Sequence, residues 1–187
     1  MPTGTGSGSD NMRNAVSLGM AGKTIGFLAA DNYDKNRGLA AGAGGVDALA
    51  FRAFNQNKAY FADSSFSALD KKNVRDGHYG IWGPEHFFVT VDGTGAITDA
   101  KAAAFVTAVT GTDYLSGLIS AHVIPQCAMT VTKPTDGGLL SPMTPADPCG
   151  CYFESISTGT ATPPGCTQCA DNTACTGGQT CHHNFCQ

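Results

Sequence analysis

Charge is scarce in this 187-residue sequence: only 14% of its residues are Asp, Glu, Lys or Arg, against about 25% in ordinary soluble domains. Glutamate is nearly missing, since thirteen of the fifteen acidic residues are Asp and two are Glu. Asp favours turns and caps where Glu favours helix interiors, so the sequence predicts a loop-rich mixed fold with few long helices. Lys and Arg number eleven and are dispersed along the chain, and the net charge is −4. No basic stripe exists to meet a phosphodiester backbone, which argues against nucleic acid as a partner. Long apolar runs are lacking too, and nothing approaches the roughly 18 residues of a membrane-crossing helix. The apolar content of 42% still suffices for a packed core, which excludes a disordered chain or a coiled coil.

Cysteine is the exception to this sparseness. Cys127, Cys149, Cys151, Cys166, Cys169, Cys175, Cys181 and Cys186 all lie in the last third, five of them within the final 22 residues. A segment so short and polar cannot bury a core, and this density reads as a disulfide staple formed in an oxidising compartment. Zinc is the rival, because Cys166-x2-Cys169 with further Cys and His182-His183 holds the ligand types of a tetrahedral site. Five cysteines exceed one site, however, and an even total of eight suits four disulfides, with about 105 pairings open. The protein is therefore expected to be exported. Met1 to Asp10 have neither the basic nor the apolar stretch of a secretory signal, so a signal-bearing portion is expected upstream of this start.

Several elements are legible. Ser9 caps a helix expected over residues 9–21, with Met12, Val16 and Met20 on one face. Thr24–Ala29 reads as a buried strand, and residues 31–45 as a loop with at most one helical turn. Strand alternation stands around Leu49, Phe51 and Ala53, and His78–Val91, with Tyr79, Ile81, Trp82, Phe87, Phe88 and Val89, reads as two strand pieces broken at Gly83-Pro84. Thr98 is the expected cap of a helix in which Ala102, Phe105, Val106 and Val109 share a face that must pack on a sheet, with Gly111 as its stop. A helix over Tyr114–His122 and a strand over Cys127–Lys133 follow. Past Pro134 the Pro- and Gly-rich composition predicts a linker and appendage without helical periodicity.

Three constellations carry chemistry. Thr3-Gly4-Thr5-Gly6-Ser7-Gly8-Ser9-Asp10 leads into a helix, where free N–H groups, Ser hydroxyls and the positive end of the macrodipole can hold an oxyanion. It lacks the Lys of a P-loop and the preceding strand of a dinucleotide fold. The plain alternative is an ordinary N-cap on a flexible terminus. The second, Asp70 to His86, gathers two His, two Asp, a Glu and an Arg. His78 and His86 are eight residues apart across a break, so spacing does not preset them as a metal or hydrolytic pair, and Asp76-Gly77 reads as a turn with Arg75 pairing locally. The third is the Cys-rich tail. No nucleophile elbow stands in a strand-turn-helix context, and Trp82, Phe87 and Phe88 read as core.

The order of these elements resembles the second half of a phosphate-type periplasmic substrate-binding protein, a two-lobed type II binding fold. Ser7-Gly8-Ser9 matches the family's Ser-Gly-Thr turn, and the strands near Lys23–Asp31 and Val46–Asn55 follow in order. Asn73-Val74-Arg75-Asp76-Gly77-His78-Tyr79 and the helix over 98–110 complete a match covering about residues 3–133. The position of the family's oxyanion-binding Arg is Thr3 here. The pattern also fits bacterial surface proteins in which such a domain carries a Cys-rich appendage. The resemblance implies an α/β fold, a partial type II binding fold of mixed sheet and flanking helices truncated at its N-terminus, plus an irregular disulfide-rich tail. Its expected parts are a binding domain over 1–133, a linker over 134–165 and the tail over 166–187. The function implied is exported, periplasmic or cell-surface, non-enzymatic solute binding without a cofactor, with a small anion held by Ser7, Gly8, Ser9 and Asp10. The alternative is a secreted structural or adhesion module with no small ligand.

Overall fold

The computed structural model describes residues 23, 25–39, 45–135 and 137–187. The helix expected over 9–21 and the turn Ser7-Gly8-Ser9-Asp10 lie outside them. The chain forms two compact units, residues 1–51 and 52–187.

In the first unit, helix α1 (Ala30–Asn36) stands where a loop is expected. Its causes are local. Asp31 occupies the first turn and Lys35 the last, each favourable to the macrodipole. The two pair at 3.3 Å, and Asn36 Nδ2 donates to the Asn32 carbonyl at 2.6 Å. The strand expected over Thr24–Ala29 is not found: its described part, 25–29, has no ladder partner, and Phe27 is 85% exposed. Around Leu49, Phe51 and Ala53 only Phe51 makes a bridge. Alternation prepares a strand, but a neighbour must complete its backbone hydrogen bonds.

The second unit runs through α2 (Lys72–Arg75), α3 (Ala100–Thr110), α4 (Leu115–Ser120), β1 (Val131–Thr132), β2 (Ser141–Pro142), α5 (Gly150–Thr158), β3 (Cys181–His182) and β4 (Phe185–Cys186). β1 pairs with β2 and β3 with β4, both antiparallel. The fold is thus mixed, with short helices, two small sheets and four disulfides in its C-terminal part.

The core lies between α4 and α5. Leu115, Ile119, Ala128, Cys149 and Phe153 are buried together, with Ile124, Cys127, Tyr152 and Ile156 packed against them. Helix α5 corrects the expectation of an aperiodic linker past Pro134. Cys149, Tyr152, Phe153 and Ile156 fall at i, i+3, i+4 and i+7, and Phe153 is 2% exposed. Gly159, at φ 68°, then takes the left-handed position that stops the helix.

Helix α3 occupies the expected span, but Asp99 rather than Thr98 caps it, accepting the Ala102 N–H at 2.8 Å. Thr98 is engaged elsewhere, its N–H and hydroxyl bonding the Thr90 carbonyl beside the Val91–Ile97 bridge. No residue of α3 is buried, so its apolar face does not pack on a sheet, and Phe105 instead meets Phe87 edge-on at 5.2 Å. The strand expected over His78–Val91 reduces to the bridge at Val91. Phe87 and Phe88 are not core, Phe88 being 95% exposed. The strand expected over Cys127–Lys133 is β1 alone, preceded by a 3-10 turn, Gln126–Ala128.

Candidate functional site

Short segments with little structure of their own meet around α2. Lys71 precedes this single turn in the left-handed region, at φ 46°, a conformation uncommon for a non-glycine residue. It is held there because its N–H and its ammonium both donate to buried Asp63, at 2.7 and 3.0 Å. Next to it, Asp70 accepts the Ser64 N–H at 2.8 Å, the Ser64 hydroxyl, and the Lys72 N–H at 3.1 Å. The turn after α2 requires Gly77: its φ is 83°, and a Cβ there would stand 3.0 Å from Val131.

Arg75 joins this turn to the core. Its Nε donates to the Ala128 carbonyl at 3.0 Å and its Nη1 to the Asp70 carbonyl at 3.2 Å. Nη2 donates to the Gly150 carbonyl at 3.1 Å, and Nη1 also pairs with Glu154 at 3.3 Å. The guanidinium lies 5.1 Å from the Phe153 ring centre. Arg75 therefore does not simply pair locally, as its place beside Asp76 suggested. Its planar fork of five donors ties two distant segments, the turn at Ala128 and helix α5, to α2, which an ammonium on a flexible stem is poorly shaped to do.

Burial pushes the Asp70 carboxyl up, but the bonds from Ser64 and Lys72 and the Arg75 charge outweigh it and hold the group below its ordinary value. A carboxyl lowered in the folded state adds stability above its unfolded pKa, and that stability is lost as pH falls through the folded value. Ser64→Ala removes one of the lowering bonds, so acid unfolding followed by circular dichroism is expected to have its midpoint at higher pH than in the parent.

Beside this node, Asp70, Lys72, Glu154, Thr158, Thr160 and Pro163 line a cleft of about 280 Å³. The disulfide Cys151–Cys166 ties α5 to the loop that forms its outer wall.

The tail is stapled as expected. All eight cysteines pair, as Cys127–Cys149, Cys151–Cys166, Cys169–Cys181 and Cys175–Cys186, the last two interlocked in sequence. Cys169, Cys175 and Cys186 offer the one group of three clustered metal-ligating atoms among the described residues, and each sulfur is already in a disulfide. The hairpin turn uses His183 and Asn184 at positive φ, 49° and 66°. It brings His182 Nδ1 to 2.6 Å and His183 Nε2 to 3.0 Å from the two oxygens of Asp147. The hydrogen bond with His182 is the largest influence on Asp147; with the charges of both rings it outweighs partial burial and holds that carboxyl below its ordinary value.

His78 and His86 have separate partners. His78 bonds Asp76 at 2.6 Å and stacks on Tyr60, while His86 stacks near Phe88. Sequence reasoning missed Arg75 as the organiser and Asp147 as the partner of the tail histidines. Apart from the Arg75 bond to Asp70, their contacts span 35 to 79 residues, and no local spacing encodes them.

These features define a disulfide-stapled mixed α/β protein of the kind made in an oxidising compartment. No described helix is long and apolar enough to cross a membrane. No family model, curated protein or solved structure matches the chain.

Proposed function

We propose that the chain is part of an exported, non-enzymatic solute-binding protein of the two-lobed type, at the cell surface or in the periplasm, taking a small oxyanion at Ser7, Gly8, Ser9 and Asp10. The observation that carries this reading is the unpaired state of its strand-like segments. Ile25 and Phe27 in the first unit, and Phe87 and Phe88 in the second, are exposed on stretches whose apolar runs suit strands. Soluble domains seldom leave large apolar patches uncovered, and a sheet shared with further strands of a two-lobed fold would cover them. The Asp76-Gly77 turn and helix α3 follow in the order that the resemblance to phosphate-type binding proteins requires. The four disulfides favour an exported setting.

In thermal unfolding with millimolar phosphate, sulfate or a dicarboxylate, a bound anion at about 100 times its Kd adds roughly 2.7 kcal/mol. The expected result is a rise in Tm with one of these anions that disappears in the Ser7→Ala, Ser9→Ala double variant. A second reading, a secreted structural or adhesion module, is favoured by the interlocked bridges that hold the polar tail in one shape. Cooperative unfolding that no anion shifts would select it.

A further inference from the structure

We propose that the cleft between α2, α5 and the loop after α5 is a separate binding site for a small zwitterion such as a free amino acid. Its lining residues fall between Ser64 and Pro164 and are not those of the oxyanion reading, so the site goes beyond it.

Some of the lining groups are already committed within the protein. Asp70 has both oxygens engaged, by Ser64 and by the Lys72 N–H. Glu154 commits Oε2 to Arg75 and leaves Oε1 without a partner among the described residues. The Lys72 ammonium makes no hydrogen bond or ion pair among them either. The Thr158 hydroxyl donates to the Glu154 carbonyl at 2.7 Å, whereas the Thr160 hydroxyl is uncommitted. A carboxylate oxygen, an ammonium and a hydroxyl thus remain for a ligand.

Charge balance sets the ligand class. Asp70 and Glu154 are offset by Lys72 and by Arg75 behind Glu154, so the cleft favours neither a simple anion nor a simple cation. A molecule carrying both signs gains at both ends, its carboxylate at Lys72 and its ammonium at Glu154 Oε1. A volume of about 280 Å³ sits at the small end of ligand pockets, which suits an amino acid. The walls are set in advance, since Arg75 fixes Glu154, the Cys151–Cys166 bridge fixes the loop, and Pro163 is buried. Preorganisation lowers the ordering cost of binding. Contacts to an exposed ammonium are weak in water, so the expected Kd is on the order of millimolar.

The test is an amide NMR titration of the full chain at constant ionic strength with L-alanine, and with propionate and ethylammonium, which each keep one of its charged groups. Saturable shifts at Lys72, Thr158 and Thr160 are expected with L-alanine, and at least about tenfold weaker binding with either half. Lys72→Met, a change at an exposed side chain, is expected to weaken L-alanine at least about fivefold while shifts elsewhere in the spectrum stay unchanged. Thr160→Val is expected to weaken it less. Absence of saturation by tens of millimolar L-alanine, equal binding of propionate, or an unaltered Lys72→Met titration overturns the proposal. The Ser7→Ala, Ser9→Ala variant is expected to titrate like the parent, which separates failure of this site from failure of the oxyanion reading.

Discussion

Replacing Arg75 by Met is expected to lower the unfolding free energy by about 3 kcal/mol, the low end of the range found when one partner of a fully buried ion pair is removed, because Arg75 and Glu154 keep 12% and 15% exposure. Met keeps much of the length and apolar stem, so the loss isolates the guanidinium. Glu154 then loses its ion-pair partner, the carbonyls of Asp70 and Ala128 lose their donors, and that of Gly150 loses its side-chain donor. An unsatisfied buried polar group costs about 1–3 kcal/mol, so the pair and the carbonyls together account for the magnitude. Urea unfolding followed by circular dichroism reads it directly. Arg75→Lys restores the charge without the fork and is expected to recover less than half of the loss. A change under about 1 kcal/mol for the Met variant would mean that water replaces the guanidinium freely, and that the node is not what joins α2 to the core.

The second large effect belongs to the bridge inside the core. Converting Cys127 and Cys149 together to Ala is expected to cost about 2–5 kcal/mol, as for other native disulfides of small secreted domains. Cys149 is fully buried beside Phe153, and its N–H bonds the Cys127 carbonyl at 2.9 Å. Converting Cys175 and Cys186 is the comparison. That bridge spans 11 residues against 22, and halving a loop changes its closure entropy by only about 0.6 kcal/mol. The larger contrast comes from packing, so the Cys127–Cys149 variant is expected to show the lower Tm in parallel thermal scans. Equal losses would place the contribution of both bridges in the unfolded chain rather than in the core.

What could be read from the sequence depended on whether a feature is local. Helix α3 was legible, apart from which residue caps it, because its stop at Gly111 and its periodicity sit within a dozen residues. The staple was legible because cysteine count needs no geometry. Helix α5 carried its signal in Cys149, Tyr152, Phe153 and Ile156, masked by Ser, Thr and Gly with modest helix propensity and by Pro148 just before it. The strands failed for a different reason. A strand is completed by another segment, and Ile25–Ala29 and His86–Val89 find no ladder partner among the described residues. Arg75 stood in a motif examined for catalysis, yet its role comes from carbonyls up to 75 residues away, which no spacing rule reaches. The Ser7–Asp10 turn lies outside the described residues and rests on the resemblance.

The order of the disulfides along the chain bears on how the protein is made. A chain oxidised as it emerges tends to join each cysteine to the next one available. Cys127 to Cys149 and Cys151 to Cys166 obey that order, so an oxidant alone suffices for them. Cys169 must pass over Cys175 to reach Cys181, and Cys175 must pass over Cys181 to reach Cys186. Sequential oxidation of this tail would join Cys169 to Cys175 and Cys181 to Cys186, and reaching the observed pairing from there takes thiol–disulfide exchange, by attack of a free thiolate on a misplaced bridge. The yield of the correctly paired tail on oxidation of the reduced chain is therefore expected to rise when a reagent that reshuffles disulfides accompanies the one that forms them.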